Sequence, residues 1–229
     1  MGRAFLYGNG SSGAAGGGAT EPYIEYTYIT VSGQRYVQTA KMHGYTVVPY
    51  YAFYYQNRLV DVDMPEGVVS IGIYAFDSCS SLALTSLPEG VVSIGGYAFN
   101  NCSSLALTSL PEGVTSIWGY VFNNCSSLAL TSLPEGVTSI GDHAFNGCSS
   151  LALTSLPEGV TFIKANAFNS CSALKEITFK GTPESIAGNI FSNCTKLLTI
   201  NVPWAEGAVA NAPWGATNAT INYNYVEGG

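Results

Sequence analysis

The sequence predicts a β-rich α/β solenoid, and two observations carry that prediction. All six cysteines, Cys79, Cys102, Cys125, Cys148, Cys171 and Cys194, fall 23 residues apart, and the phenylalanines Phe53, Phe76, Phe99, Phe122, Phe145, Phe168 and Phe191 keep the same interval. The stretch NCSSLALTSLPEGVTSI occurs twice verbatim, at 101–117 and 124–140. A fixed period with a repeated block marks stacked units, none of which can bury its apolar side chains alone. The 229 residues suffice for one such array, and 47% hydrophobic against 10% charged residues fits an ordered chain.

Taken from the N-terminus, residues 1–21 form a flexible Gly-rich arm. The segment 9–19 (NGSSGAAGGGA) is linker-like, and Phe5, Leu6 and Tyr7 before it make a docking peptide. Residues 22–48 alternate polar and apolar side chains around Ser32-Gly33, which predicts a β-hairpin capping the first coil. The solenoid occupies residues 49–202, beginning with a degenerate repeat in which Gln56 stands where later units have Cys. Within a unit, LTSLP predicts a short parallel strand, and Pro-Glu-Gly a corner where Pro ends the pairing and Gly permits a tight turn. VTSI predicts a second short strand, and GxxAFNxC a helical turn. Residues 203–229, with Trp204, Trp214, Tyr223 and Tyr225, supply the C-terminal cap that an open solenoid end requires.

The Cys-x-x-Leu starts (Cys102/Leu105, Cys125/Leu128), the Leu-Pro pairs (Leu110-Pro111, Leu133-Pro134) and the Val-x-x-Ile…Ala-Phe run (Val137, Ile140, Ala144, Phe145) resemble the BspA-like leucine-rich-repeat family. The resemblance covers about residues 46–203. It implies a leucine-rich-repeat solenoid, and a role as a bacterial cell-surface adhesin for host or matrix proteins. One departure is that Thr85, Thr108, Thr131 and Thr154 stand where the family often has Ile. The termini, MGRAFLYGNG and NVPWAEGAVANAPWGATNATINYNY, resemble those of repeat proteins from gut bacteria and their phages. That implies a virion appendage (a tail fibre, head fibre or decoration protein), which is the first expectation, with the cell-surface adhesin as the alternative.

Two surfaces are candidates for a ligand. The position five after each Cys holds Asp61, Leu84, Leu107, Leu130, Leu153, Glu176 and Thr199 from unit to unit. A place that accepts Asp, Glu and Thr predicts solvent exposure, so Leu84, Leu107, Leu130 and Leu153 are expected to form an exposed ridge on the sheet. The second is the variable segment before each Ala-Phe or Val-Phe. Tyr74, Tyr97, Tyr120 and His143 would stack in a row there, with Trp118 beside them. Tyr and Trp are favoured at binding surfaces. The expected ligand is a protein or glycan.

Other classes of function find little in the sequence. The net charge of −7 and pI near 4.7 argue against nucleic acid and anionic membranes, which need clustered Lys and Arg. Neither a nucleophile elbow nor a phosphate loop appears, and His43 and His143 are far apart, so no enzyme is expected. A straight file of thiols suits neither disulfides nor tetrahedral zinc, so the cysteines are expected to be reduced and buried, with no metal or other cofactor. MGRAFLYGNG lacks the apolar run of a secretory signal. The expected course is therefore folding in the cytoplasm, then residence on a virion or extracellular surface, held in an assembly through the arm. Self-association as a homo-oligomer stays open.

Overall fold

The computed structural model describes residues 21–226. The anchor peptide Phe5, Leu6 and Tyr7 lies outside them. Strands run in chain order as β1 (Tyr23–Val31), β2 (Gln34–His43), β3 (Val47–Val48), β4 (Asp61–Asp63), β5 (Ser70–Ile71), β6 (Ser93–Ile94) and β7 (Ser116–Ile117). They continue as β8 (Ser139–Ile140), β9 (Ser155–Leu156), β10 (Phe162–Ile163), β11 (Glu176–Phe179), β12 (Ser185–Ile186), β13 (Thr199–Asn201) and β14 (Thr220–Asn222). Apart from the hairpin of β1 and β2, every pairing is parallel, in sheets ordered β1-β2-β4, β9-β11-β13-β14, β3-β5-β6 and β7-β8-β10-β12.

Each coil places one residue over its equivalent in the next. Ile71 pairs with Ile94, Ile117 with Ile140, and Ile140 with Ile163, all facing inward. The seven phenylalanines stack through the core at centroid separations of 5.1 to 5.8 Å. Each stacked ring adds about 0.5–1.5 kcal/mol beyond its buried area. At the N-terminal end the hairpin turns at Ser32 (φ 51°) and Gly33 (φ 78°), both left-handed, which matches the twist of the strands it joins. β2 then pairs with β4, and Val37, Ala40 and Met42 cover the first coil. At the other end Trp204 and Trp214 are buried against Phe179.

The fold is a β-solenoid rather than α/β, because no helix occurs among the described residues. The segment GxxAFNxC folds as successive tight turns: Ala98 N–H donates to Gly95 O, Asn100 to Tyr97 O and Cys102 to Phe99 O. Two left-handed residues in each of the first six coils, such as Tyr97 and Asn101 (both φ 59°), stop a helix from propagating. Tyr97 and Asn101 also donate their N–H groups to Gly119 O and Asn123 O of the next coil. The backbone thus bonds between coils where a helix would bond within itself.

The leucines expected on an exposed ridge are core. Leu84, Leu107, Leu130 and Leu153 are 7%, 0%, 0% and 2% exposed, while Thr85, Thr108, Thr131 and Thr154 face solvent. In the end coils, where β4, β11 and β13 give regular alternation, the inward residue is one place later, at Val62, Ile177 and Ile200. Residues 84–87, 107–110 and 130–133 form no strand, so two successive residues, Thr and Ser, turn outward between buried leucines. Burying Leu gains about 1.5–3 kcal/mol, whereas burying an unpaired Thr hydroxyl costs energy; where no ladder fixes the phase, the side chains choose it.

Two polar ladders complete the interior. Each thiol donates to the carbonyl of a Phe one coil back, as Cys102 Sγ to Phe76 O at 3.0 Å and Cys148 Sγ to Phe122 O at 3.0 Å. All six cysteines are free and buried. Desolvation pushes their thiols up, Cys79 to about 12 and Cys194 to about 11. Asn146, Asn123 and Asn100 each donate an amide N–H to the preceding side chain, at 2.7, 2.7 and 2.8 Å, ending at Asp77 Oδ1. A carboxylate only accepts, so Asp77 fixes the direction of the ladder.

Candidate aromatic binding strip

The corner after the second strand of each coil carries the variable segment. Its last residue is left-handed in six successive coils: Tyr51 (φ 57°), Tyr74 (58°), Tyr97 (59°), Tyr120 (58°), His143 (54°) and Asn166 (56°). Asn tolerates this conformation, but a Tyr there costs about 1–2 kcal/mol. The rings stack face to face, at 5.0 Å for Tyr51–Tyr74, 4.7 Å for Tyr74–Tyr97, 4.6 Å for Tyr97–Tyr120 and 4.6 Å for Tyr120–His143. Stacking worth about 0.5–1.5 kcal/mol per pair offsets much of the strain.

His143 joins the aromatic row to an amide row. Its ring lies on Tyr120, its Nε2 accepts from Asn166 Nδ2 at 3.1 Å, and Asn166 Oδ1 accepts from Asn189 Nδ2 at 2.9 Å. Desolvation, with Tyr120 and Tyr74 alongside, pushes the Tyr97 phenol up. The stacked rings cover one another's faces. Trp118 differs: it is 57% exposed and, among the described residues, makes no ring–ring contact.

The structure therefore brings Tyr74, Tyr97, Tyr120 and His143 into one row with Trp118 on the same corner, and takes the four leucines out of the surface. It adds residues that the sequence reasoning missed. Tyr51 begins the stack, Tyr54 meets Tyr51 and Tyr74 edge-on, and Tyr55 meets Tyr54. Tyr50 is 69% exposed, and its ring lies over Gly72, where an added Cβ would fall 2.7 Å from Tyr50 Cδ1. The interval back from Phe53 identifies Tyr51 in the sequence, but the degenerate first repeat concealed it. One further depression, beside Asp142, Phe162 and Lys164, lies on the C-terminal half of the same face.

No group of His, Cys, Asp and Glu able to hold a metal occurs among the described residues. No helix among them is long and apolar enough to cross a membrane. A corner of stacked rings with an exposed indole can grip a surface.

Parallel coils with an inward Leu, Ile and Phe file define the class as a leucine-rich-repeat solenoid. The sequence matches the BspA type leucine rich repeat region in six copies, over residues 46–174 and 121–208, and the chain belongs to that family. Among solved structures it is similar to a leucine-rich repeat protein from Bacteroides ovatus, at 30% identity and TM-score 0.54, over 78% of this chain and 45% of that one. It is also similar to the leucine rich repeat protein of T. pallidum, at 30% identity and TM-score 0.57, over 75% of this chain and 87% of that one. The pneumococcal vaccine antigen PcpA shares the fold, at 21% identity and TM-score 0.56, over 88% of this chain and 48% of that one. The chain thus spans less than half of the Bacteroides ovatus protein. No curated protein matches it in sequence.

Proposed function

We propose that this chain is a non-catalytic binding module displayed on a surface, and that the aromatic corner takes the ligand, a protein or a glycan. The observation that carries it is the run of aromatic residues held at left-handed φ from Tyr51 to His143, with Tyr50 and Trp118 exposed beside it. Strain repeated over several coils, where Asn or Gly would sit without cost, is what a functional constraint leaves behind. The setting that best suits its relatives is a bacterial cell surface: a Faecalibacterium prausnitzii protein of this fold is described as a leucine rich cell surface protein, at 22% identity and TM-score 0.50, over 84% of this chain and 71% of that one.

A second setting is a virion appendage, favoured by the apolar triplet Phe5-Leu6-Tyr7 ahead of the Gly-rich segment 9–19, which suits a peptide anchored in a particle. Copurification with particles, lost on deletion of residues 1–20, supports it; recovery with the cell envelope supports the first. Ligand binding is tested by surface plasmon resonance on immobilised mucin, native and deglycosylated, with the wild-type chain and Tyr50→Ser/Trp118→Ser. The expected result is binding that falls at least tenfold in the variant while its circular dichroism is unchanged. Equal binding by both proteins refutes the role of the corner.

A further inference from the structure

The face next to the aromatic corner is uncharged and rich in exposed apolar side chains in its N-terminal coils, and carries charged residues in its C-terminal coils, where Phe162 is also exposed. The position that is Thr115, Thr138 and Thr161 in the later coils is Val69 and Val92 in the earlier ones, 45% and 54% exposed. The position that is Gly96 and Gly119 is Ile73, also exposed, and Val47 and Tyr50 extend the patch at its N-terminal end. These residues are neighbours in space. Val92 N–H donates to Val69 O at 2.9 Å, Val47 pairs with Ser70, and Tyr50 covers Gly72. None of the segments 46–50, 68–73 and 91–96 contains a charged residue. The equivalent C-terminal half carries Asp142, Lys164 and Glu184.

Exposed valine costs solubility and gains nothing where the repeat itself supplies threonine. A contiguous apolar patch of this kind marks a contact surface. Its edge says what kind. Glu66, Glu89 and Glu112 stand exposed in a row at the Pro-Glu-Gly corner, three residues before Val69, Val92 and Thr115. A second copy of this acidic chain would bring like charges to that rim, and an anionic lipid surface would be repelled by it. We infer that the face built by Val47, Tyr50, Val69, Ile73 and Val92 docks a partner protein with an apolar centre flanked by Lys or Arg, the basic side lying against the glutamate row. The inference deepens the binding role proposed above and rests on it.

The test is selection of a displayed random-peptide library against the immobilised full chain, followed by affinities of the enriched peptides. Three variants serve: Val69→Thr/Val92→Thr/Ile73→Ala, Glu66→Gln/Glu89→Gln/Glu112→Gln, and Tyr97→Asn/Tyr120→Asn. The first uses residues that other coils carry at the same positions (Thr115, Thr138, Ala165), so the coils keep their fold. The expected outcome is peptides that combine aliphatic or aromatic residues with Lys or Arg, bound at least tenfold more weakly by the valine variant and several-fold more weakly by the glutamine variant. Acidic peptides, failure to enrich any peptide, or affinities unchanged in the valine variant overturn the inference. Peptides lost only in the tyrosine variant overturn it while leaving the aromatic corner as the binding site. Dimerisation in sedimentation, or binding to phosphatidylcholine vesicles, that disappears in the valine variant also overturns it, by naming a different occupant.

Discussion

Leu130→Ala and Thr131→Ala test which way adjacent side chains point. Leu130 is 0% exposed, and Leu107 and Leu153 hold the same place one coil to either side, also buried. Ala129 N–H donates to Leu107 O and Ala152 N–H to Leu130 O, both at 3.1 Å, so the neighbouring coils are tied at this level and collapse poorly into a void. The loss therefore belongs in the middle of the leucine-to-alanine range, about 3–4 kcal/mol. For a chain of this size that is about 6–16 °C in Tm. Thr131 is exposed, and its replacement by Ala should stay within about 0.5 kcal/mol. Urea unfolding followed by circular dichroism measures both, with coincidence of far-ultraviolet and tryptophan signals as the check on cooperativity. A small cost for Leu130→Ala together with a large one for Thr131→Ala would mean that the leucines face out after all.

Further consequences are open to measurement. Burial raises the thiols, so the folded state holds protons that the unfolded state releases. Stability should be level below about pH 8, the unfolded thiol range, and fall as pH rises toward about 11–12, the values of Cys194 and Cys79. Urea midpoints at pH 8 and pH 10 check this, and equal midpoints refute it. Asn123→Asp sets a carboxylate against Asn100 Oδ1 and should cost at least about 2 kcal/mol, whereas Asp77→Asn keeps an accepting oxygen and should cost under about 1 kcal/mol, both read from urea midpoints. Tyr97→Asn loses two ring contacts but relieves a left-handed Tyr, so thermal melting should show a net cost of only about 0–2 kcal/mol.

Much of the fold was legible because the period acts on every coil at once. Cys, Phe and the Val-x-x-Ile segment each specify an inward position, and the coils stack them in register. The phase of the LTSLP segment was not legible. Aligning coils by number assumes the same backbone in each, whereas Asp61 and Glu176 sit in strands and Leu107 and Leu130 do not. The end coils therefore gave the wrong orientation to the central ones. The missing helix had a sign in the sequence: Asn101, Asn124, Gly147 and Asn193 recur just before Cys, and these are residue types that accept left-handed backbone. The thiol–carbonyl bonds had no such sign, since a buried Cys reads as a small apolar residue. The aromatic row was visible as a pattern. The valine face beside it emerged only when burial showed Val69 and Val92 on the outside.

Register between coils underlies both proposed surfaces, and a single distance tests it. Thr46 and Glu184 are exposed and occupy the same position in coils six steps apart, at the end of the series Val69, Val92, Thr115, Thr138 and Thr161. Spin labels at Thr46→Cys and Glu184→Cys, read by double electron–electron resonance while the native thiols stay buried, should give one narrow distribution near about 29 Å, six spacings of roughly 4.8 Å. A maximum beyond about 40 Å, or several maxima, would contradict coils stacked in register.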